Sequence, residues 1–386
     1  MQSLDEFATG KLAALEEQTL RRRLVETLRT GGAATVRRGR TLISFCCNDY
    51  LNLSQHPAVI AAAVAAVREH GVGSGASRLI TGNHPLFAKL EGRLAGLKGS
   101  EDCCVFGSGY LANTGIIPAL VGPEDLIVLD ELSHACLWSG ARLSRATILP
   151  FRHNDVAHAR ALLAEHRRRH PHALIATDGV FSMDGDLAPL PALSRLAQDH
   201  NAWLMTDDAH GLGVIGGGRG SAFAHGAPVE VPLHMGTLSK AVGTYGGYLC
   251  ASHAVCELMR NRARTLVYST GLPPAIVAAA IAALDVIENE PAYAARPLHK
   301  AKAFTRSLGL PEAESPIVPV ILGSAERAIT AARLLEEEGF LVAPIRPPTV
   351  PEGTARLRFT FSAEQPDAAV ERLANVVRDN IMAAAS

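Results

Sequence analysis

Trp203-Leu204-Met205-Thr206-Asp207-Asp208-Ala209-His210-Gly211 is a short apolar run that ends in two carboxylates, a histidine and a glycine. Residues 103–106, 126–129, 173–177 and 233–236 have the same form: each is a strand-like apolar run followed by polar or glycine-rich residues. Helical patterns fill the intervals. Strands that alternate with helices predict βαβ units, and so an α/β fold whose large, mostly parallel sheet is covered on both faces. Ligands of such sheets sit beyond the carboxyl ends of the strands, so the residues after each run are the ones to weigh for function.

Outside this block the pattern changes. Leu12, Leu15, Leu20, Leu24 and Leu28, set among Glu16, Glu17, Arg21, Arg22 and Arg23, predict an N-terminal helical arm broken at Gly31-Gly32. From residue 273 an Ala-rich helix leads to strands at 317–322, 341–344 and 355–361 and a helix at 325–338, a smaller C-terminal α+β domain. The expected division is an arm at 1–45, a large α/β domain at 46–272 and the C-terminal domain at 273–386. Pro347, Pro348 and Pro351 stiffen a loop before the final strand, where it is expected to line a cleft between domains.

Composition narrows the function classes. The chain has 386 residues, 48% hydrophobic and 19% charged, with a formal net charge of −1, which suits a globular protein and gives no field to steer it to nucleic acid or an anionic membrane. The apolar runs 58–67 and 275–284 fall short of the roughly 20 residues of a membrane span and are expected to be buried helices. The N-terminus lacks an apolar segment followed by a small-residue cleavage site, so a cytoplasmic location is expected. Seven cysteines without a C-x-x-C pair predict reduced thiols and no zinc ribbon. No further histidine or carboxylate has usable spacing to make Asp207, Asp208 and His210 a metal site, so no metal is expected.

The strand exits concentrate chemistry. Gly107-Ser108-Gly109-Tyr110 is a glycine turn leading into a helix, a form that aims backbone N–H groups at a phosphate. Ser133-His134 follows the second run, Asp178 to Gly185 the third, and Thr237-Leu238-Ser239-Lys240 the last. Of the six lysines, only Lys240 lies just past a core strand, among small residues, and a partly desolvated amine there is suited to forming a Schiff base. Lysine, strand-end aspartate, phosphate turn and histidine together fit pyridoxal 5'-phosphate (PLP).

Ordered motifs carry a resemblance over nearly the whole chain: Asn48-Asp49-Tyr50-Leu51, Gly73-Ser74-Gly75-Ala76-Ser77-Arg78, Ser133-His134, the stretch from Val180 to Asp186, Asp207 to Gly211, Thr237 to Lys240, and Tyr268-Ser269-Thr270. The chain resembles the α-oxoamine synthases among the fold type I PLP-dependent transferases, enzymes that join an amino acid to an acyl thioester with loss of carbon dioxide. The loop from Ile345 to Pro351 and the segment from Gly353 to Arg358 resemble the branch that uses L-alanine and a pimeloyl group carried on CoA or a carrier protein. The alternative is another branch of the family: glycine with acetyl-CoA or succinyl-CoA, or serine with a long acyl-CoA.

The resemblance implies a role for each residue. Lys240, His134 and Asp207 are the implied catalytic residues: Lys240 holds the cofactor aldehyde and moves the substrate α-proton, Asp207 rather than Asp208 pairs with the ring nitrogen, and His134 stacks on the ring face. Ser182 and His210 are implied to bond the ring oxygen. Gly109, Tyr110 and Thr237 are implied to cradle ring and phosphate, and Thr270 to reach the phosphate of the neighbouring subunit, because the family is homodimeric. Arg358 is implied to clamp the amino-acid carboxylate, with Arg346 and Arg356 as competitors; on a strand, Arg356 and Arg358 share a face and periodicity cannot separate them. Arg21 and Thr349 are implied to contact the acyl substrate, although Arg21 also fits a solvated helix face. His153, His158, His166, His170 and His172 are read as an exposed basic helical region without a role.

Overall fold

The computed structural model describes residues 2–18 and 20–383. Its strands are β1 (Thr27–Gly31), β2 (Ala34–Arg37), β3 (Arg40–Ser44), β4 (Asp102–Phe106), β5 (Leu126–Asp130), β6 (Thr147–Phe151), β7 (Ala173–Asp178), β8 (Trp203–Asp207), β9 (Leu233–Thr237), β10 (Gly247–Ala251), β11 (Ile317–Gly323), β12 (Phe340–Leu341), β13 (Ala343–Ile345) and β14 (Ala355–Thr360). Seven of these form the central sheet in the order β4-β10-β9-β8-β7-β5-β6. Only β10 runs against its neighbours, β4 and β9. β5, β7 and β9 are buried at every position, as expected of strands covered on both faces.

The five apolar runs of the sequence are β4, β5, β7, β8 and β9. The two strands without that signature have physical reasons for lacking it. β6 is an edge strand, partly exposed and containing Pro150. β10 spends three of its five positions on Gly247, Cys250 and Ala251, of which glycine and alanine are poor strand formers.

Helices α1 (Leu4–Glu17), α2 (Pro57–His70), α3 (Pro85–Lys98), α4 (Gly109–Leu120) and α5 (Ala135–Ser144) precede the later ones. α4 and α5 pack on one sheet face through Ile116, Ile117, Leu137 and Ala141. α3 and the helix Pro274–Asn289 cover the other. That helix is deeply buried, whereas α2 lies outside it with only Val59 and Ala66 buried, so the second Ala-rich run is a core helix and the first is not.

The N-terminal helix ends at Glu17 rather than running to Leu28. Residues from Thr27 form a hairpin instead, and the two glycines expected to break a helix make its turn, Gly31 and Gly32 both having positive φ. β1, β2 and β3 join β12 in one small sheet, and β11, β14 and β13 form another. Phe45, Phe304, Phe340, Phe359 and Phe361 build the aromatic core between these C-terminal elements. All seven cysteines are free thiols. Among the described residues no helix is long and apolar enough to cross a membrane.

The end of β8 is anchored from below. Successive side chains alternate across a strand, so Asp207 and Asp208 leave it on opposite sides. Asp208 Oδ2 accepts a hydrogen bond from Lys98 Nζ at 2.6 Å, and its Oδ1 accepts one from the Ser221 amide at 3.0 Å. Both members of the ion pair are buried. Gly220, at φ +104°, closes over it, and a Cβ there would lie 1.7 Å from Asp208 Oδ2. Replacing Lys98 by Met strands this carboxylate, and the expected cost is about 3–5 kcal/mol of stability. Urea unfolding checks it, and a loss under about 1 kcal/mol would show that the pair does not anchor the strand.

Candidate active site

The carboxyl ends of β5, β7, β8 and β9, together with the exit of β4, open on a cavity of about 330 Å³. Residues from each exit line it. Gly109 and Tyr110 begin α4, and Ser108 caps the helix by accepting from the Leu111 amide at 3.1 Å. That cap leaves the first two helical amides for an external acceptor. A Cβ at Gly109 would stand 3.2 Å from Thr237 Cβ, so glycine lets the turn and β9 approach each other.

Asp207 closes the cavity floor. Its Oδ2 accepts from Asn113 Nδ2 at 2.7 Å and its Oδ1 from the Ala209 amide at 3.0 Å. Asp208, held by Lys98 on the other face, does not line the cavity. His134 caps α5, its Nδ1 accepting from the Cys136 amide at 3.2 Å. Its own amide donates to Asp178 at 3.2 Å.

His210 is buried, and its Nδ1 lies 2.6 Å from Tyr50 Oη. Burial pushes the tyrosine up to about 12 and the histidine well below its usual range, so both are neutral. The phenol therefore donates to Nδ1, and Nε2 carries the imidazole proton. Tyr50 was visible in the sequence only as part of a motif; its bond to His210 spans 160 residues.

Lys240 has no ion pair or hydrogen bond among the described residues. Desolvation lowers its pKa from 10.5 to about 8, against the pull of Asp207 and Asp178 and with the help of Arg358. Thr237 Oγ1 donates to the Gly246 carbonyl at 2.7 Å.

The two buried arginines of β14 differ in their partners. Arg356 is ion-paired with Asp184 and bonded to the carbonyls of Met183 and Thr354. Arg358 bonds neutral oxygens, among them the Ser182 carbonyl and Asn48 Oδ1, and no carboxylate among the described residues pairs with it. The arm meets the proline loop through Arg22, whose Nη2 donates to Thr349 Oγ1 at 2.9 Å. Arg21 instead pairs with Glu16 on the exposed surface.

Thr270 does not line this cavity. It forms a β-bridge with Ser77, close to the exposed Leu79, Ile80 and Tyr268. His153 is not part of an exposed helix: both its ring nitrogens bond carboxylates.

An unpaired desolvated amine, a buried carboxylate at a strand end and free helix-terminal amides suit a ligand with an aldehyde, a basic ring nitrogen and a phosphate. These residues fit PLP.

The family described as aminotransferase class I and II matches residues 40–377. The chain is 66% identical over 344 residues to the 8-amino-7-oxononanoate synthase of Methylocella silvestris, covering 89% of this chain and 98% of that one. It is 61% identical over 377 residues to that of Beijerinckia indica, covering 98% of each. Among solved structures, a serine palmitoyltransferase variant from S. paucimobilis with a bound PLP–myriocin adduct superposes with a TM-score of 0.90 at 30% identity, covering 97% of this chain and 96% of that one. An 8-amino-7-oxononanoate synthase from Francisella tularensis superposes with a TM-score of 0.75 at 26% identity, covering 89% and 99%.

Fold and site define a fold type I PLP-dependent transferase. The chain belongs to the aminotransferase class I and II family and, within it, to the 8-amino-7-oxononanoate synthases.

Only the neutral amine of Lys240 is a nucleophile, and its fraction grows as pH rises through about 8. The rate at which the apoprotein captures PLP is therefore expected to climb with pH and level off above that value. Stopped-flow absorbance measures it, and a midpoint near 10.5 would show an ordinary solvated lysine.

Proposed function

We propose that this chain joins L-alanine to a pimeloyl thioester, on CoA or a carrier protein, and releases carbon dioxide, the thiol and 8-amino-7-oxononanoate, a step of biotin biosynthesis in the cytoplasm. The observation that carries the reading is Arg358, a buried guanidinium without a counter-ion beside the cavity of Lys240. Its planar fork matches a carboxylate, whereas Asp184 already occupies Arg356.

PLP supplies an electron sink for the charge left on the alanine Cα when its proton, and later carbon dioxide, departs. The residues of the chain do the rest. Lys240 Nζ would hold the cofactor through its aldehyde carbon and would take the substrate α-proton and later return one. Asp207, kept in place by Asn113 and the Ala209 amide, holds the proton of the ring nitrogen. His134 would cover one face of the ring, and His210 Nε2 and the Ser182 hydroxyl would bond its ring oxygen.

The Gly109 and Tyr110 amides and the Thr237 hydroxyl would hold the phosphate. Thr349 and the arm arginines Arg21 and Arg22 face the acyl chain or its carrier. Thr270 serves the phosphate of a second subunit, which the exposed Leu79, Ile80 and Tyr268 around its bridge support.

Visible spectra of the holoprotein are expected to respond to L-alanine, and added pimeloyl-CoA to release free thiol, with glycine and acetyl-CoA as the control pair. A response confined to glycine would move the activity to another branch. Arg358→Ala removes a charged hydrogen-bonding group worth about 1.5–3 kcal/mol, so half-saturation by L-alanine is expected to rise about 10- to 100-fold. An unchanged value would exclude Arg358 as the carboxylate clamp.

A further inference from the structure

The segment from Val180 to Leu187 is a closed hairpin. Its ends pair in a β-bridge between Val180 and Leu187, the Phe181 amide donates to the Asp186 carbonyl at 3.0 Å, and the Gly185 amide to the Phe181 carbonyl at 2.8 Å. Its tip carries the groups that meet the two buried arginines: the Ser182 carbonyl on Arg358, and the Met183 carbonyl and Asp184 on Arg356. Where the tip stands therefore sets where both guanidinium groups point.

The base of the hairpin is held by a residue outside the cavity. His153, two residues beyond β6, places Nδ1 at 3.2 Å from Oδ1 of Asp130, the last residue of β5, and Nε2 at 2.8 Å from Asp186 Oδ2. Its ring stands edge-on to Phe181 with centroids 4.4 Å apart. Asn154, in the left-handed region at φ 56°, adds a bond from its amide to Asp130 Oδ2 and one from its side chain to Asp186 Oδ2, each at 2.8 Å. Ionised carboxylates only accept, so both ring nitrogens must donate, which requires the imidazolium form. Desolvation pushes the pKa of His153 down, but the hydrogen bonds to Asp130 and Asp186 together outweigh it and raise it to about 10.

We propose that His153 is a positioning residue for the amino-acid carboxylate: it ties the Val180-to-Leu187 hairpin to the end of β5 and so aims Arg358 at the substrate. The inference rests on the functional reading above for the identity of that substrate, and on geometry alone for the tie. A residue that only stabilised the fold would affect both substrates alike. A tie acting through Arg358 affects the amino acid.

The test compares the wild-type holoenzyme with His153→Phe, which keeps a ring against Phe181 but donates to neither carboxylate. Amide exchange followed by mass spectrometry is expected to quicken in residues 180–187. Half-saturation by L-alanine is expected to rise about tenfold, a modest share of what misplacement from outside the site can cost. The half-saturation for pimeloyl-CoA is expected to stay within about twofold.

Unchanged exchange, an unchanged L-alanine value, or an equal rise for both substrates would overturn the proposal. Should the Phe variant not fold, Asp186→Asn removes one charge from a partly exposed position and is expected to act in the same direction. If the wild-type protein ignores L-alanine, the functional reading falls, while the exchange measurement still decides whether His153 holds the hairpin.

Discussion

The buried pair of Lys98 and Asp208 is the constraint from which the site is built. Two adjacent aspartates end β8, and strand geometry sends them to opposite faces of the sheet. Lys98, reaching in from the last turn of α3, neutralises the lower one inside the protein. With that carboxylate held by an amine, a backbone amide and the close approach of Gly220, the backbone leaving β8 has one path. Asp207 then sits on the cavity floor and His210 on its wall.

Around this anchor, charge is distributed unevenly, and the unevenness is chemically useful. Perturbed groups gather where reactions occur because burial and neighbours act on them together. Lys240 loses water without gaining a partner, and its pKa falls from 10.5 to about 8. His210 is kept neutral by burial and in one tautomer by a tyrosine that belongs to a distant part of the chain. Arg358 retains a full charge against neutral oxygens, while Arg356, two residues away on the same strand, spends its charge on Asp184. One arginine is structural and its twin is open to a ligand.

The hairpin between β7 and the following helix joins the two halves of this arrangement. Its Ser182 faces the cavity of the large sheet, while its tip touches arginines contributed by β14 of the C-terminal sheet. The unpaired guanidinium of Arg358 and the amine of Lys240 come from different layers of the molecule, so their separation depends on polar ties such as those of His153, Asn154 and Asp186. Short polar contacts with fixed geometry hold such a distance better than apolar packing, which has no direction.

Five core strands, the alternation with helices, and the residues at their exits were legible in the linear order, because a parallel sheet buried on both faces writes itself as apolar runs and gathers its ligands at one edge. Asp207, His210, Thr237 and Lys240, which line the cavity, stood out that way. Tertiary structure decided what periodicity leaves degenerate. Arg356 and Arg358 share a strand face, and only the position of Asp184 tells them apart. Gly31 and Gly32 break a helix or turn a hairpin according to whether β2 is there to pair. Arg21 and Arg22 are neighbours in the chain, yet only Arg22 reaches Thr349. His153 looked like one histidine in a basic stretch until Asp130 and Asp186, 23 and 33 residues away, closed on its two nitrogens. Local sequence sets which side chains leave a strand on which side; which distant charge each one meets is set only by packing, because Coulomb and hydrogen-bond partners are chosen by distance in space and not along the chain.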